Sequence, residues 1–360
     1  INQSGEVELI IEKPDNELYP QNAAFSPLKI LVDRTGTIFT IARGIYFGAV
    51  MFDPDGMFLG YFGSNRVELT PQLMVDRAWK RILSKENRDR LPSYIPVEFT
   101  NFAIDSENFI YTCTEFSGSN FNMVRKINPM GINIMEAKAN RSFQRGFGDL
   151  QPVYHNRNLI STRFQDISVS PQGHISVLDF TRGRIFQYDQ DANILFAFGG
   201  LGTQVGMFRA PVALEHFGDK LLVLDRTTGG ITVFELTEFG RTVHEAMELF
   251  NDGRYIEAVE PWNEVLRYNS NYNLAYIGLG KAFQETGDPG EAMRHFRIGA
   301  FRDGYDRAFN EYRNITMRRV FPFIFSIVIL AIIFGYTRNT KPVKNVTTKI
   351  RKRLYNIIMN

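Results

Sequence analysis

The chain is short of several things. It has one cysteine, Cys113, so no disulfide can form within it and a small fold stapled by disulfides is excluded. Its five histidines, His155, His174, His216, His244 and His295, are scattered, and none makes a metal-ligand spacing with another His, Cys or acid. It lacks a nucleophile elbow, a phosphate-binding loop and a dinucleotide fingerprint. No catalytic residue, metal ligand or cofactor-binding residue is therefore assigned. Residues 1–238 hold 23 Lys and Arg against 27 Asp and Glu, and residues 239–317 hold 9 against 12. A nucleic-acid partner needs basic residues spread over a folded face, so none is expected. Acid is missing altogether from residues 318–360, which carry nine basic residues.

What is present begins with a repeat. A short apolar strand ends in an acid or its substitute, and a glycine or its substitute follows three residues later: Asp33 with Gly36, Asp105 with Asn108, Ser170 with Gly173, Glu215 with Gly218. About 20 residues on, the plan recurs as Asp53 with Gly56, Asn128 with Gly131 and Asp189 with Ala192. The acid bonds its own backbone two residues on, and glycine supplies the positive φ that closes the turn. Each unit predicts four antiparallel strands in about 40 residues, the size of a propeller blade. Ile132 to Met135 is the expected fourth strand of the second unit. Val7 to Ile11 reads as the last strand of a blade already under way, so the expectation is that an N-terminal part, two blades and a targeting signal, is absent from this sequence. The repeated Asp33, Asp53, Asp105, Asp179, Asp189 and Asp225 read as turn and strand-end residues.

This pattern resembles NHL-repeat propellers over residues 1 to about 236. The resemblance implies an all-β propeller over 1–238, of six blades when complete. Residues 64–95 interrupt it. Thr70 and Pro71 start a helix there, and Leu73, Met74, Ala78, Ile82 and Leu83 follow helical spacing. This arm either faces a partner, with Trp79 as anchor and Arg81 and Arg88 beside it, or only covers a blade edge. Residues 139–163 read as a polar, basic loop.

After Glu238 the period becomes helical. Glu257-Ala258 recurs as Glu291-Ala292, a shift of 34 residues, and the same shift brings Gly253 onto Gly287 and Trp262 onto Phe296. Residues 239–312 resemble a pair of tetratricopeptide repeats, with a third, degenerate helix at Tyr305 to Arg313, and the helical domain is taken as 239–317. Such repeats bind proteins, and Tyr276 and Arg294 are the candidate partner contacts. The run Gly278-Leu279-Gly280-Lys281 looks like a phosphate loop, but it falls inside a helix, where glycine serves packing.

Val320 to Tyr336 carries no charge, and its twelve Val, Ile, Leu and Phe residues supply about −4 to −7 kcal/mol of insertion free energy. Residues 318–337 are read as a transmembrane helix flanked by Arg318, Arg319, Arg338 and Lys341. The basic excess on the C-terminal side puts the tail, 338–360, in the cytoplasm and the folded domains outside. Ile350, Leu354, Ile357 and Ile358 give that tail an apolar face on a basic helix.

The order of propeller, helical repeats, single span and basic tail resembles NHL-repeat proteins of Gram-positive bacteria encoded with carbohydrate ABC-transporter components and Yip-type membrane proteins. The resemblance implies a membrane-anchored extracytoplasmic scaffold accessory to such a transporter. Its partners would be permease-like and Yip-type membrane subunits, a carbohydrate or solute-binding protein, and the lipid bilayer. The alternative is a surface lactonase-like or sugar-binding propeller. No cofactor is expected on the first reading.

Overall fold

The repeated acid-x-x-glycine turn organises the β region of the computed structural model. The structure describes residues 4–20, 22–63, 99–115, 123–135, 146–149, 153–155, 158–339 and 348–355. The acid's Oδ1 accepts from backbone N–H groups two and four residues on. Asp33 takes Thr35 and Thr37 at 2.8 and 2.9 Å, and Asp53 takes Asp55 and Met57 at 3.0 and 2.7 Å. Asp105 and Asp189 do the same for Glu107 and Phe109 and for Asp191 and Asn193. The residue after the turn adopts positive φ even where it is not glycine: 68° at Asn108 and 63° at Ala192.

Such turns recur in the first three of four antiparallel sheets; in the fourth, Glu215, expected as the acid of the turn, lies inside its strand opposite Leu222, because the hairpin closes on Gly218 and Asp219 alone. The sheets are β1–β4 (Pro27–Val32, Ile38–Ala42, Ala49–Phe52, Phe58–Phe62), β5–β7 (Phe99–Ile104, Ile110–Thr114, Val124–Ile127), β10–β13 (Phe164–Val169, Ile175–Asp179, Arg184–Tyr188, Ile194–Gly199) and β14–β16 (Pro211–Phe217, Lys220–Asp225, Gly230–Glu235). Three apolar clusters are shared by consecutive sheets, and a fourth packs Tyr19 against Val50 and Phe52 of the first sheet. Phe39 and Phe62 meet Phe102 and Ile110, Tyr111 meets Phe164 and Ile175, and Leu178 and Ile185 meet Leu214 and Val223. Sheets stacked face to face in chain order make the domain propeller-like. The first strands of three sheets are tied by one buried carboxylate. Asp166 of β10 accepts from Asn101 Nδ2 of β5 and, at 2.8 Å, from the Leu214 N–H of β14.

Three expectations change. The fourth strand at Ile132 to Met135 is reduced to a single bridge between Ile127 and Asn133, because Asn133 Oδ1 captures the Met135 N–H at 3.1 Å and bends the chain. Val7 to Ile11 is not in a ladder. Leu9 and Ile11 lie against the turn at Gly56, and among the described residues no strand pairs with the segment. Within 139–163, expected as loop, Val153–His155 (β8) and Asn158–Ile160 (β9) form a hairpin. The arm at 64–95 lies outside the described residues.

The chain divides into two compact units, Ile1–His244 and Glu245–Asn360. Among the described residues, the helices up to Asn339 are α1 (Glu238–Asn251), α2 (Val259–Tyr268), α3 (Asn273–Glu285), α4 (Pro289–Ile298) and α5 (Arg302–Asn339). Gly253 and Gly287 close equivalent turns with φ of 76° and 78°. The glycines of α3 are packing residues: a Cβ on Gly278 would overlap the Trp262 indole of α2, and one on Gly280 would come within 2.6 Å of the Phe296 ring of α4. Asp288 caps α4 by accepting the Glu291 N–H at 3.1 Å, with Pro289 at the first helical position.

α5 joins two expected elements. The third helix at Tyr305 to Arg313 and the span from Arg318 are one uninterrupted helix of 38 residues, about 57 Å long. Ala308 is buried and α5 packs on α4, while the side chains from Val320 to Tyr336 are exposed. This helix is long and apolar enough to cross a membrane. Pro322 sits within it and removes one backbone hydrogen bond, and Ser326 Oγ donates to the Pro322 carbonyl at 2.7 Å.

Candidate functional site

Three of the five histidines come together in the first unit. The sheet β10–β13 carries a polar row where alternation would place apolar side chains. Its register aligns Ser168 with Ser176, Ser176 with Gln187 and Gln187 with Phe196. Ser168, Ser176 and Gln187 are buried. From the next sheet, His216 of β14 brings its Nε2 to 3.1 Å from Ser176 Oγ, and its backbone N–H donates to Ser168 Oγ at 3.1 Å. Ser168 Oγ donates in turn to Glu215 Oε1 at 2.7 Å.

The other two imidazoles arrive by a turn and a helix. His174 directly follows the Ser170–Gly173 turn, whose Ser170 Oγ accepts the His174 N–H at 3.1 Å and lies 3.4 Å from His174 Nδ1. His244, in the first turns of α1, stacks on His174 with ring centroids 3.7 Å apart and planes 19° apart, and also lies over Phe196 at 5.7 Å. Its Nε2 is 2.6 Å from Gln187 Oε1, and Gln187 Nε2 donates to Ser176 Oγ at 3.0 Å.

One of these bonds fixes a proton. Gln187 Oε1 can only accept, so His244 carries hydrogen on Nε2. Ser176 Oγ accepts from Gln187 Nε2 and keeps both a hydroxyl hydrogen and a second lone pair for His216 Nε2, so this contact suits either neutral tautomer of His216. Burial lowers His174 and His216 to about 4 and His244 to about 3, with the neighbouring imidazoles lowering His174 and His244 further. At neutral pH the seam is therefore uncharged. Ser170 stands where the other turns carry Asp33, Asp53 and Asp105. A carboxylate there would face His174 and favour its charged form, and the hydroxyl keeps it neutral.

The arrangement is a hydrogen-bonded latch. Ser176 Oγ and His216 Nε2 resemble a nucleophile and its base, but Ser176 is wholly buried and no substrate atom can reach it. Among the described residues, no three His, Cys, Asp or Glu side chains are placed to hold a metal ion.

Trp79, Arg81, Arg88 and Lys341 lie outside the described residues. Tyr276, on α3, spends its hydroxyl on the Ser270 carbonyl at 2.9 Å, and Arg294, on α4, is exposed and paired with Glu291 at 3.5 Å. Arg318, Arg319 and Arg338 are exposed on α5 on either side of the apolar stretch. The seam was not anticipated. Its signal was available: Ser168, Ser176 and Gln187 break the apolar alternation of their strands, and Ser170 replaces the acid of its turn. The partner strands and α1, which complete it, are distant in sequence.

No family model matches the chain, and no curated protein matches it. Among solved structures, it is similar to a catalytically inactive virginiamycin B lyase from Staphylococcus aureus with quinupristin, at 14% identity over 61% of this chain and 58% of that one, with a TM-score of 0.32. It is similar to the PQQ-bound aldose sugar dehydrogenase of Streptomyces coelicolor at 13% identity, over 61% of each chain, with a TM-score of 0.31. An auxiliary nutrient binding protein from Bacteroides ovatus shares 8% identity over 63% of this chain and 48% of that one, with a TM-score of 0.33. The chain spans less than two thirds of the length of each of these structures.

Proposed function

We propose that this chain is a membrane-anchored interaction protein of the bacterial cell surface, an accessory subunit of a carbohydrate ABC transporter whose two folded units stand outside the cell. The observation that carries the reading is α5. One helix begins as packing for the helical unit and continues without a break into a stretch whose apolar side chains are all exposed. In water that stretch is a large unfavourable apolar surface. In a bilayer it is the favourable state. The absence of acid and the presence of nine basic residues over 318–360 support a cytoplasmic tail.

The finer assignments follow from the repeats. The Gly-and-aromatic interlock of α2, α3 and α4, recurring with the turns at Gly253 and Gly287, supports tetratricopeptide-type repeats that hold a protein partner. The four β sheets, three of them with matched turns, support an NHL-type propeller. Leu28, Ile30 and Val32 on β1 and Ile231 and Val233 on β16 are exposed apolar faces of the kind further blades cover, in keeping with a ring of six. Permease-like and Yip-type subunits would pack beside α5, and a carbohydrate or solute-binding protein would meet the outer units.

Purification from native membranes in mild detergent tests the proposal. Permease-like subunits in stoichiometric amount are the expected result. A monomer that binds glycan, or one that hydrolyses lactones, contradicts it.

A further inference from the structure

A second helix, α6 (348–355), follows α5 after residues 340–347. At 100° per residue, Ile350 and Leu354 share one face. Lys352 lies opposite that face, Arg351 and Arg353 flank it on either side, and Lys349 lies further round. The helix thus carries four cations, no acid, and an apolar stripe of Ile350 and Leu354, with Tyr355 at the helix end beside it. Ile350, Leu354 and Tyr355 are 53%, 54% and 66% exposed. A helix of eight residues is unstable alone in water, well short of the roughly 12–15 residues an isolated helix needs. One that is apolar on one side and cationic on the other is stabilised at a boundary between hydrocarbon and anionic charge.

We infer that α6 lies on an anionic phospholipid surface, with Ile350 and Leu354 in the acyl boundary and Lys349, Arg351, Lys352 and Arg353 among the headgroups. The inference rests on α5 crossing the bilayer. Eight residues can span at most about 28 Å, so the end of α5 at Asn339 keeps α6 within reach of the leaflet from which α5 emerges. Tethering raises the local concentration of the tail at that surface, so a short helix suffices. A basic amphipathic segment beside a span meets the anionic cytoplasmic leaflet, where each cation adds attraction. Tyr355 suits the headgroup region, with its ring towards lipid and its hydroxyl towards water.

The test uses the full chain with Leu354→Cys, labelled with an environment-sensitive nitrobenzoxadiazole probe. Cys113 is buried and its thiol is pushed well up by burial, so it stays unlabelled in the folded protein. The protein is reconstituted into vesicles of pure phosphatidylcholine and into an equal mixture of phosphatidylcholine and phosphatidylglycerol. In the mixture, the emission should shift to the blue and iodide quenching should be lost. In phosphatidylcholine alone the probe should remain in water. Replacing Arg351, Lys352 and Arg353 together by Gln should move the tail about a hundred-fold towards the free state. A probe that stays in water in both membranes, on protein that still floats with the vesicles, overturns the inference and leaves the span standing. Equal burial in both overturns the role given to anionic lipid. Protein that does not float overturns the span itself.

Discussion

Acid should loosen the histidine seam by an amount the structure sets. An unfolded histidine titrates near 6.5. In the folded protein His174 and His216 are held down to about 4 and His244 to about 3. At pH 5 the unfolded chain has bound nearly one proton at each of the three, and the folded protein almost none. The stability they contribute is complete well above 6.5 and is lost as pH falls through that range towards 4. Between pH 7 and pH 5 each histidine costs about 2 kcal/mol. Repulsion among the three rings is already part of these low values, and the sum of about 6 kcal/mol is set by titration of the unfolded state. Burial works in the opposite sense at Asp166 and Asp189, held up to about 6 and about 7. Their folded pKa values exceed the unfolded ones, so they add stability as pH falls, together about 4 kcal/mol over the same interval. Asp179, also raised by burial, adds in the same sense, so the net loss is well below the histidine sum and a single titration of the wild type cannot separate the causes. His216→Gln can. Hydrogen exchange of the β11 and β12 amides, corrected for intrinsic rates, should show a loss between pH 7 and pH 5 that is smaller by about 2 kcal/mol in this variant. An identical pH dependence in both proteins would refute the reasoning.

Other substitutions probe neighbouring parts of the account. Ser170→Asp restores the carboxylate of the other turns and should raise the His174 pKa from about 4 towards the ordinary range, read by histidine ring NMR. Asp166→Ala removes the acceptor shared by Asn101 and Leu214 and should lower the unfolding free energy of the β unit by about 3 kcal/mol in a denaturant titration. Gly278→Val drives a side chain into the Trp262 indole and should cost the helical unit about 3 kcal/mol, followed by Trp262 fluorescence on heating; a neutral result would remove the packing role given to this glycine.

The sheets were legible because their turns are local. Asp33 to Thr37 and Asp189 to Asn193 are closed by bonds two and four residues long, so residue types at fixed spacing announce them. The glycines of α3 were legible for the same reason, since a 34-residue shift aligns Trp262 with Phe296, the rings that fill the gaps the glycines leave. The missing fourth strand after β7 was not, because a single side chain, Asn133, takes the amide of Met135. The seam was not legible either. His174, His216 and His244 are brought together by strand register and by α1, and five scattered histidines give no sign of which three will meet. The continuity of α5 was read as two elements because the polar residues from Arg313 to Arg319 suggest an end, whereas no glycine or proline stands there to make one.

The membrane assignment is tested most directly by labelling intact cells that express variants with one added cysteine, Cys113 being buried, with a membrane-impermeant maleimide. Asp219 is exposed in the turn between β14 and β15, and Lys349 is exposed on α6. Asp219→Cys should be labelled at once, and Lys349→Cys only after the cells are permeabilised. Labelling of Lys349→Cys in intact cells, or protection of Asp219→Cys there, would contradict a chain whose α5 crosses the bilayer with its folded units outside.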